Sequence, residues 1–128
     1  MSAPNDALVD NALLSAVTDA MVAFHKRYYH RAPVTAKTML LDGELLVCVL
    51  EGVYTDVEKT MIEIQRTPIV QETRAAFQTA MQSRLIASVE RLSGRTVHAL
   101  SSSHHVGPDL EVQVFMLGPP PAQKARIT

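Results

Sequence analysis

Between about residues 6 and 29, apolar side chains fall at Leu8, Val9, Ala12, Leu13, Ala16, Val17, Ala20, Met21, Phe24 and Tyr28. That is the i, i+3, i+4, i+7 spacing of a helix with one buried face. Asn5 or Asp6 is the expected N-cap, and Pro33 is expected to stop the helix, since proline lacks the N–H that a further turn would use. The period then changes from helix to strand. Two apolar runs, residues 34–41 and 44–51, flank Asp42-Gly43, a dipeptide suited to the positive φ angles of a two-residue hairpin turn. Residues 45–50 are apolar at every position, so both faces of that strand should be covered. Helices of this chain can take one face, and the other needs a loop or a second copy of the protein; a homodimer is the expectation.

Thr55-Asp-Val-Glu58 has the form of a capping box and predicts a short helix to about residue 65. Thr67 and Pro68 then supply a cap and an N1 proline for a long helix. Its stripe is Ile69, Val70, Thr73, Phe77, Met81, Leu85, Val89 and Leu92, and Gly94 closes it as a left-handed residue. Residues 95–103 and 110–117 read as two more strands, joined by a loop over residues 104–109. The second alternates around Glu111 and Gln113, which assigns that part of the sheet a polar face. The two halves echo each other, because residues 31–52 and 95–118 each begin with an arginine after a helix and end on an apolar strand and a glycine. The expected fold class is α+β, a two-layer sandwich built as an αββ(α)αββ pseudo-repeat, with a four-stranded antiparallel sheet packed under two long helices. One domain spans residues 1–118, and residues 119–128 are expected to be an unstructured tail.

Charge narrows the function classes. Twelve basic residues face thirteen acidic ones, for a formal net charge of −1, whereas nucleic-acid binding relies on an excess of Lys and Arg. No nucleic-acid partner is expected. The single cysteine, Cys48, rules out an internal disulfide and fits a reducing cytosol. The start of the chain lacks a signal-peptide pattern, and no apolar run approaches the roughly 20 residues of a membrane span. A cytoplasmic protein follows, one that meets a membrane only peripherally, through a partner.

No constellation of standard spacing supplies a chemistry. His25, Lys26, Arg27, His30 and Arg31 close the first helix, either as solvated cations at the negative end of its dipole or as an anion-recognising cluster. His98, His104, His105 and Asp109 match no metal-ligand spacing, so no metal is expected, and no cofactor. Ser101 to Ser103 beside His104 and Asp109 read as a strand end and turn, with a triad as the alternative. Cys48 reads as a core thiol. The polar set Glu51, Glu58 and Lys59 lies where the first hairpin meets the capping box. With Arg31 and Arg95 at matching points of the two halves, it is the candidate site for a small anion or a partner loop.

The same residues carry a resemblance. The run Leu50-Glu-Gly-Val-Tyr-Thr-Asp-Val-Glu-Lys59, preceded by Tyr29-His-Arg-Ala-Pro33, resembles the pattern GRGP … LEGxLTxxEK of the MpsC family. Arg74-Ala-Ala-Phe77, Gly94-Arg-Thr-Val97, Pro108-Asp109 and Phe115 continue it in order. Family positions carried over are Arg31, Pro33, Glu51, Gly52, Thr55, Glu58, Lys59, Arg74, Phe77, Gly94, Arg95 and Asp109. The chain departs at His30 and Ala32, where the pattern has glycines, and at Tyr54, where leucine is usual. The family is named for a component of a sodium-translocating membrane-potential-generating system. The resemblance implies a small soluble bacterial protein associated with ion or inorganic-carbon transport, without an established catalytic activity. A non-enzymatic accessory protein that binds a membrane transport subunit or a small anion is the expected function, through Arg31, Glu51, Thr55, Glu58, Lys59, Arg74, Arg95 and Asp109. The alternative is a small enzyme on an anionic substrate, with His98 or His104 as general acid or base; a histidine hydrogen-bonded to a carboxylate in a concave pocket would favour it.

Overall fold

Asp42 and Gly43 take φ angles of 54° and 70° and fold strand β1 (Thr35–Leu41) back onto β2 (Leu45–Glu51). The pairing closes at Leu41 with Leu45, so Glu44 joins the turn. Its N–H donates to the Leu41 carbonyl at 3.1 Å, and its own carbonyl accepts from the Leu117 N–H at 2.8 Å. The two-residue loop is therefore three residues long, with Glu44 drawn off to hold the end of a neighbouring strand. The computed structural model describes residues 4–120, with side chains from residue 10 onward. Its other elements are α1 (Pro4–Tyr29), α2 (Asp56–Glu63), α3 (Thr67–Ser93), β3 (Val97–His105) and β4 (Leu110–Leu117).

All four strands form one antiparallel sheet of order β1-β2-β4-β3. Exchanging the halves, β1 with β3 and β2 with β4, leaves that order unchanged, as a pseudo-twofold between β2 and β4 requires. Helix α1 packs over β1 and α3 over β3, on one side of the sheet. The predicted α+β two-layer sandwich is the fold observed. Its core joins Val17 and Met21 of α1, Val70, Leu85 and Val89 of α3, and Leu46, Cys48, Leu50, Phe115 and Leu117 of the sheet.

Several boundaries differ from expectation for identifiable reasons. Helix α1 ends four residues before Pro33, because His30 turns left-handed at φ 60°, and its start at Pro4 puts the expected caps Asn5 and Asp6 inside the helix. Thr67 is the first residue of α3 instead of its cap; Arg66 holds that position with no capping side chain. His104 and His105 belong to strand β3, where they pair with Glu111 and Leu110. Ile69 and Leu92, counted in the α3 stripe, are exposed. The side chains of Leu8 and Val9, and tail residues 121–128, lie outside the described residues.

The largest difference concerns the faces of the sheet. Glu111 and Gln113, expected on a wet face, point under the helices and are buried. Register explains it: Glu111 pairs with Leu50, Gln113 with Cys48 and Phe115 with Leu46, and directly paired residues share a face. The face away from the helices carries Met39, Leu41, Leu45, Val47, Val49, Leu110, Val112, Val114 and Met116. The sheet is thus partly polar beneath its helices and apolar where they do not cover it.

Two backbone positions give a test. Gly52 sits at φ 66°, and a Cβ there would overlap the side chain of Val34, at 2.7 Å from its Cβ. Gly52→Ala is expected to lower stability by about 2–4 kcal/mol, summing a left-handed penalty and overpacking. His30, exposed and at positive φ, occupies a position where the family pattern has glycine. His30→Gly should raise stability by about 0.5–1 kcal/mol. Urea unfolding of both variants checks the pair of opposite signs.

Candidate functional site

The chain leaves β2 through Gly52 and crosses to α2 over residues 52–55, and five of the expected site residues converge there. Thr55 caps α2 in a complete capping box: its Oγ1 accepts from the Glu58 N–H, and the Glu58 carboxylate accepts from the Thr55 N–H at 2.9 Å. Arg31 donates to the Tyr54 carbonyl at 2.8 Å. Asp109, from the turn before β4, accepts the Val53 N–H at 2.8 Å. Arg74 of α3 donates to the Val53 carbonyl through Nη2 and to both Glu58 oxygens, through Nε at 2.7 Å and Nη2 at 2.6 Å. These are architectural contacts that satisfy an irregular backbone segment.

The other expected residues sit differently. Arg95 lies at the opposite end of β2, where Nε donates to the Gly118 carbonyl and Nη2 to the Gly43 carbonyl, tying the β1–β2 turn to the end of β4. It does not share a site with Arg31. Glu51 is exposed and accepts from Thr35 Oγ1 at 2.9 Å, while Lys59 is exposed on α2. His98 is exposed on β3.

What the corner supports is a buried ion cluster that the sequence reading did not assemble. Its centre is the carboxylate of Glu111, 3% exposed. Oε2 lies 3.1 Å from His25 Nε2 and accepts from Gln113 Nε2 at 3.0 Å. Oε1 lies 3.1 Å from His104 Nε2 and 3.7 Å from Arg74 Nη1, an ion-pair distance too long for a hydrogen bond. His25, expected among solvated helix-end cations, is 1% exposed. It stands eight residues after Val17 and four after Met21, on the buried stripe itself, as Arg74 stands four after Val70. A titratable residue at a stripe position, twice, was the available signal.

Burial alone would push the Glu111 carboxyl up, but hydrogen bonds from His104 and His25, the charge of His25 and the Gln113 amide hold it far below the usual carboxylate range. Burial also opposes ionisation of Glu58, and the Arg74 guanidinium and Thr55 amide outweigh it, lowering its pKa. The guanidinium of Arg74 stacks on the Tyr29 ring at 3.7 Å and lies 5.1 Å from the Tyr54 ring. Burial pushes both phenols up to about 12 despite the field of Arg74. Two buried nitrogens, His25 Nδ1 and Arg74 Nη1, have no hydrogen-bond partner among the described residues.

Besides the partly exposed Glu58, the cluster reaches the surface through His104. Ala75, Gln78, Thr79 and Gln82 of α3 and Leu100, Ser102 and His104 of β3 line a groove of about 230 Å³. His104 forms part of its wall, with Glu111 directly behind. A histidine held by a carboxylate at a concave surface is thus present, and its ring could orient a ligand or exchange a proton. Among the described residues no three His, Cys, Asp or Glu groups are placed to hold a metal ion. Nor is any described helix long and apolar enough to cross a membrane.

Removing the cation between the buried carboxylate of Glu111 and the half-buried one of Glu58 should be severe. Arg74→Met is expected to cost about 3–5 kcal/mol in urea unfolding, the penalty for an uncompensated buried charge. The pH dependence has a definite sign. Glu111 and Glu58 have folded pKa values below their unfolded ones, so their contribution is present above about 4.5 and lost as pH falls from there toward the lower folded values. Glu111→Gln should flatten that acid limb. Tyr29 and Tyr54, with raised values, contribute stability below pH 10 that is lost as pH rises toward 12. Unfolding midpoints measured across both limbs check the two signs.

No curated protein and no solved structure matches the chain. A family model does, over residues 10–118, and it is described as Na+-translocating membrane potential-generating system (MpsC). That stretch holds the crossover, the ion cluster under it and both halves of the sheet, and by this match the chain belongs to the MpsC family.

Proposed function

We propose that the chain is a non-enzymatic accessory protein of a bacterial ion or inorganic-carbon transport system. It works in the cytoplasm as a homodimer, closed through the uncovered face of the sheet, and meets the membrane by contact with a transport subunit. Family membership supports the transport association. The observation that carries the assembly reading is the apolar sheet face with no helix over it among the described residues.

Leu45, Val47 and Val49 of β2 stand beside Leu110, Val112, Val114 and Met116 of β4, with Met39 and Leu41 of β1 flanking them. Lys37, Glu51, Ser101, Ser103 and His105 form a polar rim. Four strands about 4.8 Å apart, each with four same-face positions about 6.7 Å apart, project to roughly 500 Å². The accessible area of such a corrugated face is larger and approaches the roughly 800 Å² that each partner of a standard interface buries. The apolar centre takes a little over half of the projected face, about 300 Å², a size at which an exposed patch is often functional. Because β2 and β4 are related by the pseudo-twofold, the patch is close to self-complementary, and a second copy can bring Lys37 toward a partner carboxylate at the rim. That anatomy, an apolar centre with opposite charges at the edge, fits a second copy.

A second reading, a small enzyme with His104 as general acid or base, is favoured by the His104–Glu111 pair in the α3–β3 groove. The assembly reading accounts for a larger feature, and the hydroxyl nearest His104 along β3, that of Ser102, is already committed as a donor to Gln113.

Sedimentation of the parent protein at micromolar concentration is expected to give a dimer. Val47→Asp combined with Val114→Asp should give a folded monomer, because each aspartate would be buried unpaired at the centre of the contact. A membrane transport subunit should co-purify with the parent and be lost with the double variant. A monomeric parent would overturn the assembly reading, and a dimer that retains no transport subunit would overturn the association.

A further inference from the structure

The ionised Glu111 carboxylate determines the hydrogen-bond polarity of everything around it, out to the α3–β3 groove. A carboxylate only accepts, so His104 must present a proton on Nε2, and in the neutral ring Nδ1 is then a bare lone pair. No described residue pairs with that Nδ1, and His104 lines the groove. The same carboxylate accepts from the Gln113 amide nitrogen, which turns Gln113 Oε1 toward Ser102 and Gln78. Ser102 spends its hydroxyl proton on that oxygen. Thr79 spends its own on the Ala75 carbonyl, at 3.1 Å. Three groups around one concavity, His104 Nδ1, Ser102 Oγ and Thr79 Oγ1, therefore offer lone pairs and no protons. Gln82 adds an amide that can rotate to either polarity.

The charge behind the groove has the same preference. Glu111 is the carboxylate next to the groove wall, sealed from water and 3.1 Å from His104 Nε2, while the guanidinium of Arg74 is engaged bidentately by Glu58. We infer that the α3–β3 groove is a binding site for a small primary ammonium group, which would donate its N–H protons to His104 Nδ1, Ser102 and Thr79 against the field of Glu111. A volume of about 230 Å³ suits an ammonium head on a short chain. The imidazole lone pair selects N–H donors over alkali ions, which favour oxygen ligands. This site is separate from the sheet face on which the assembly reading rests, so either can fail without the other.

Nuclear magnetic resonance on the full-length protein tests it in two steps. Imidazole nitrogen shifts, taken where they show His104 uncharged, should report the Nε2–H form; the Nδ1–H form would make the groove a donor and overturn the inference. Titration with methylammonium chloride should then give saturable shifts at His104, Ser102 and Thr79. Tetramethylammonium chloride, which has no N–H, and sodium chloride at equal ionic strength should give none that saturate. Saturation by either salt, or no saturation by methylammonium, would overturn the site. Thr79→Val, at an exposed helix position where the fold is insensitive, removes one acceptor and should weaken methylammonium binding at least several-fold. Unchanged binding in that variant would refute the assigned donors and acceptors.

Discussion

One buried carboxylate holds this molecule together. Glu111 comes from β4, His25 from α1, Arg74 from α3 and His104 from β3, so a single side chain joins both helices to both strands of the second hairpin. A carboxylate so deeply buried is tolerated only when its lone pairs are met, and here His25, Gln113 and His104 meet them, with Arg74 just beyond hydrogen-bond range. Such a cluster adds little stability compared with an apolar replacement of equal volume, while loss of any one member is severe. Its effect is directional: it fixes which helix face and which strand face meet.

Arg74 extends that constraint to the crossover. Through Glu58 and the Val53 carbonyl it links the ion cluster to the capping box, while Asp109 and Arg31 hold the peptide groups on either side. Five of the residues that carry the family pattern, Arg31, Thr55, Glu58, Arg74 and Asp109, are therefore fasteners of an irregular segment between β2 and α2. Their spacing reflects where a backbone without strand or helix partners needs donors and acceptors. Tyr54, where the pattern has leucine, keeps the same duty by other means: its ring lies near Arg74, and its hydroxyl donates to the His105 carbonyl at 2.8 Å. At His30 a left-handed turn is made with a side chain in place.

Much of the architecture was legible because it is written in local chemistry. Asp42-Gly43, Thr55 with Glu58, and Gly94 each specify a backbone conformation within four residues, and each is observed. The faces of β4 were not legible, since its apolar residues occur at both parities: Val112 and Val114 on one, Phe115 and Leu117 on the other. Parity is settled by long-range partners, His25 and Arg74, which arrive on helix stripes otherwise made of Val17, Met21 and Val70. Pairing Arg31 with Arg95 by their places in the repeat failed for a related reason. A pseudo-twofold maps equivalent residues to opposite ends of the central strands, so symmetry separates them.

The ion cluster under the helices and the bare apolar face are two results of one register. In a strand, a slip of one residue exchanges every side chain between faces. Shifted by one, β4 would send Glu111, Gln113, Phe115 and Leu117 to water and Val112 and Val114 to the core. His25 and His104 would then be left buried without their carboxylate, Arg74 would keep only Glu58, and Phe115 and Leu117 would leave the core as the two valines entered it. The polar groups on the helices thus hold β4 in the register that turns its valines outward, beside the outward leucine and valines of β2. Covering that face from outside is the remaining way to bury it, because the polar cluster has already excluded the inner one.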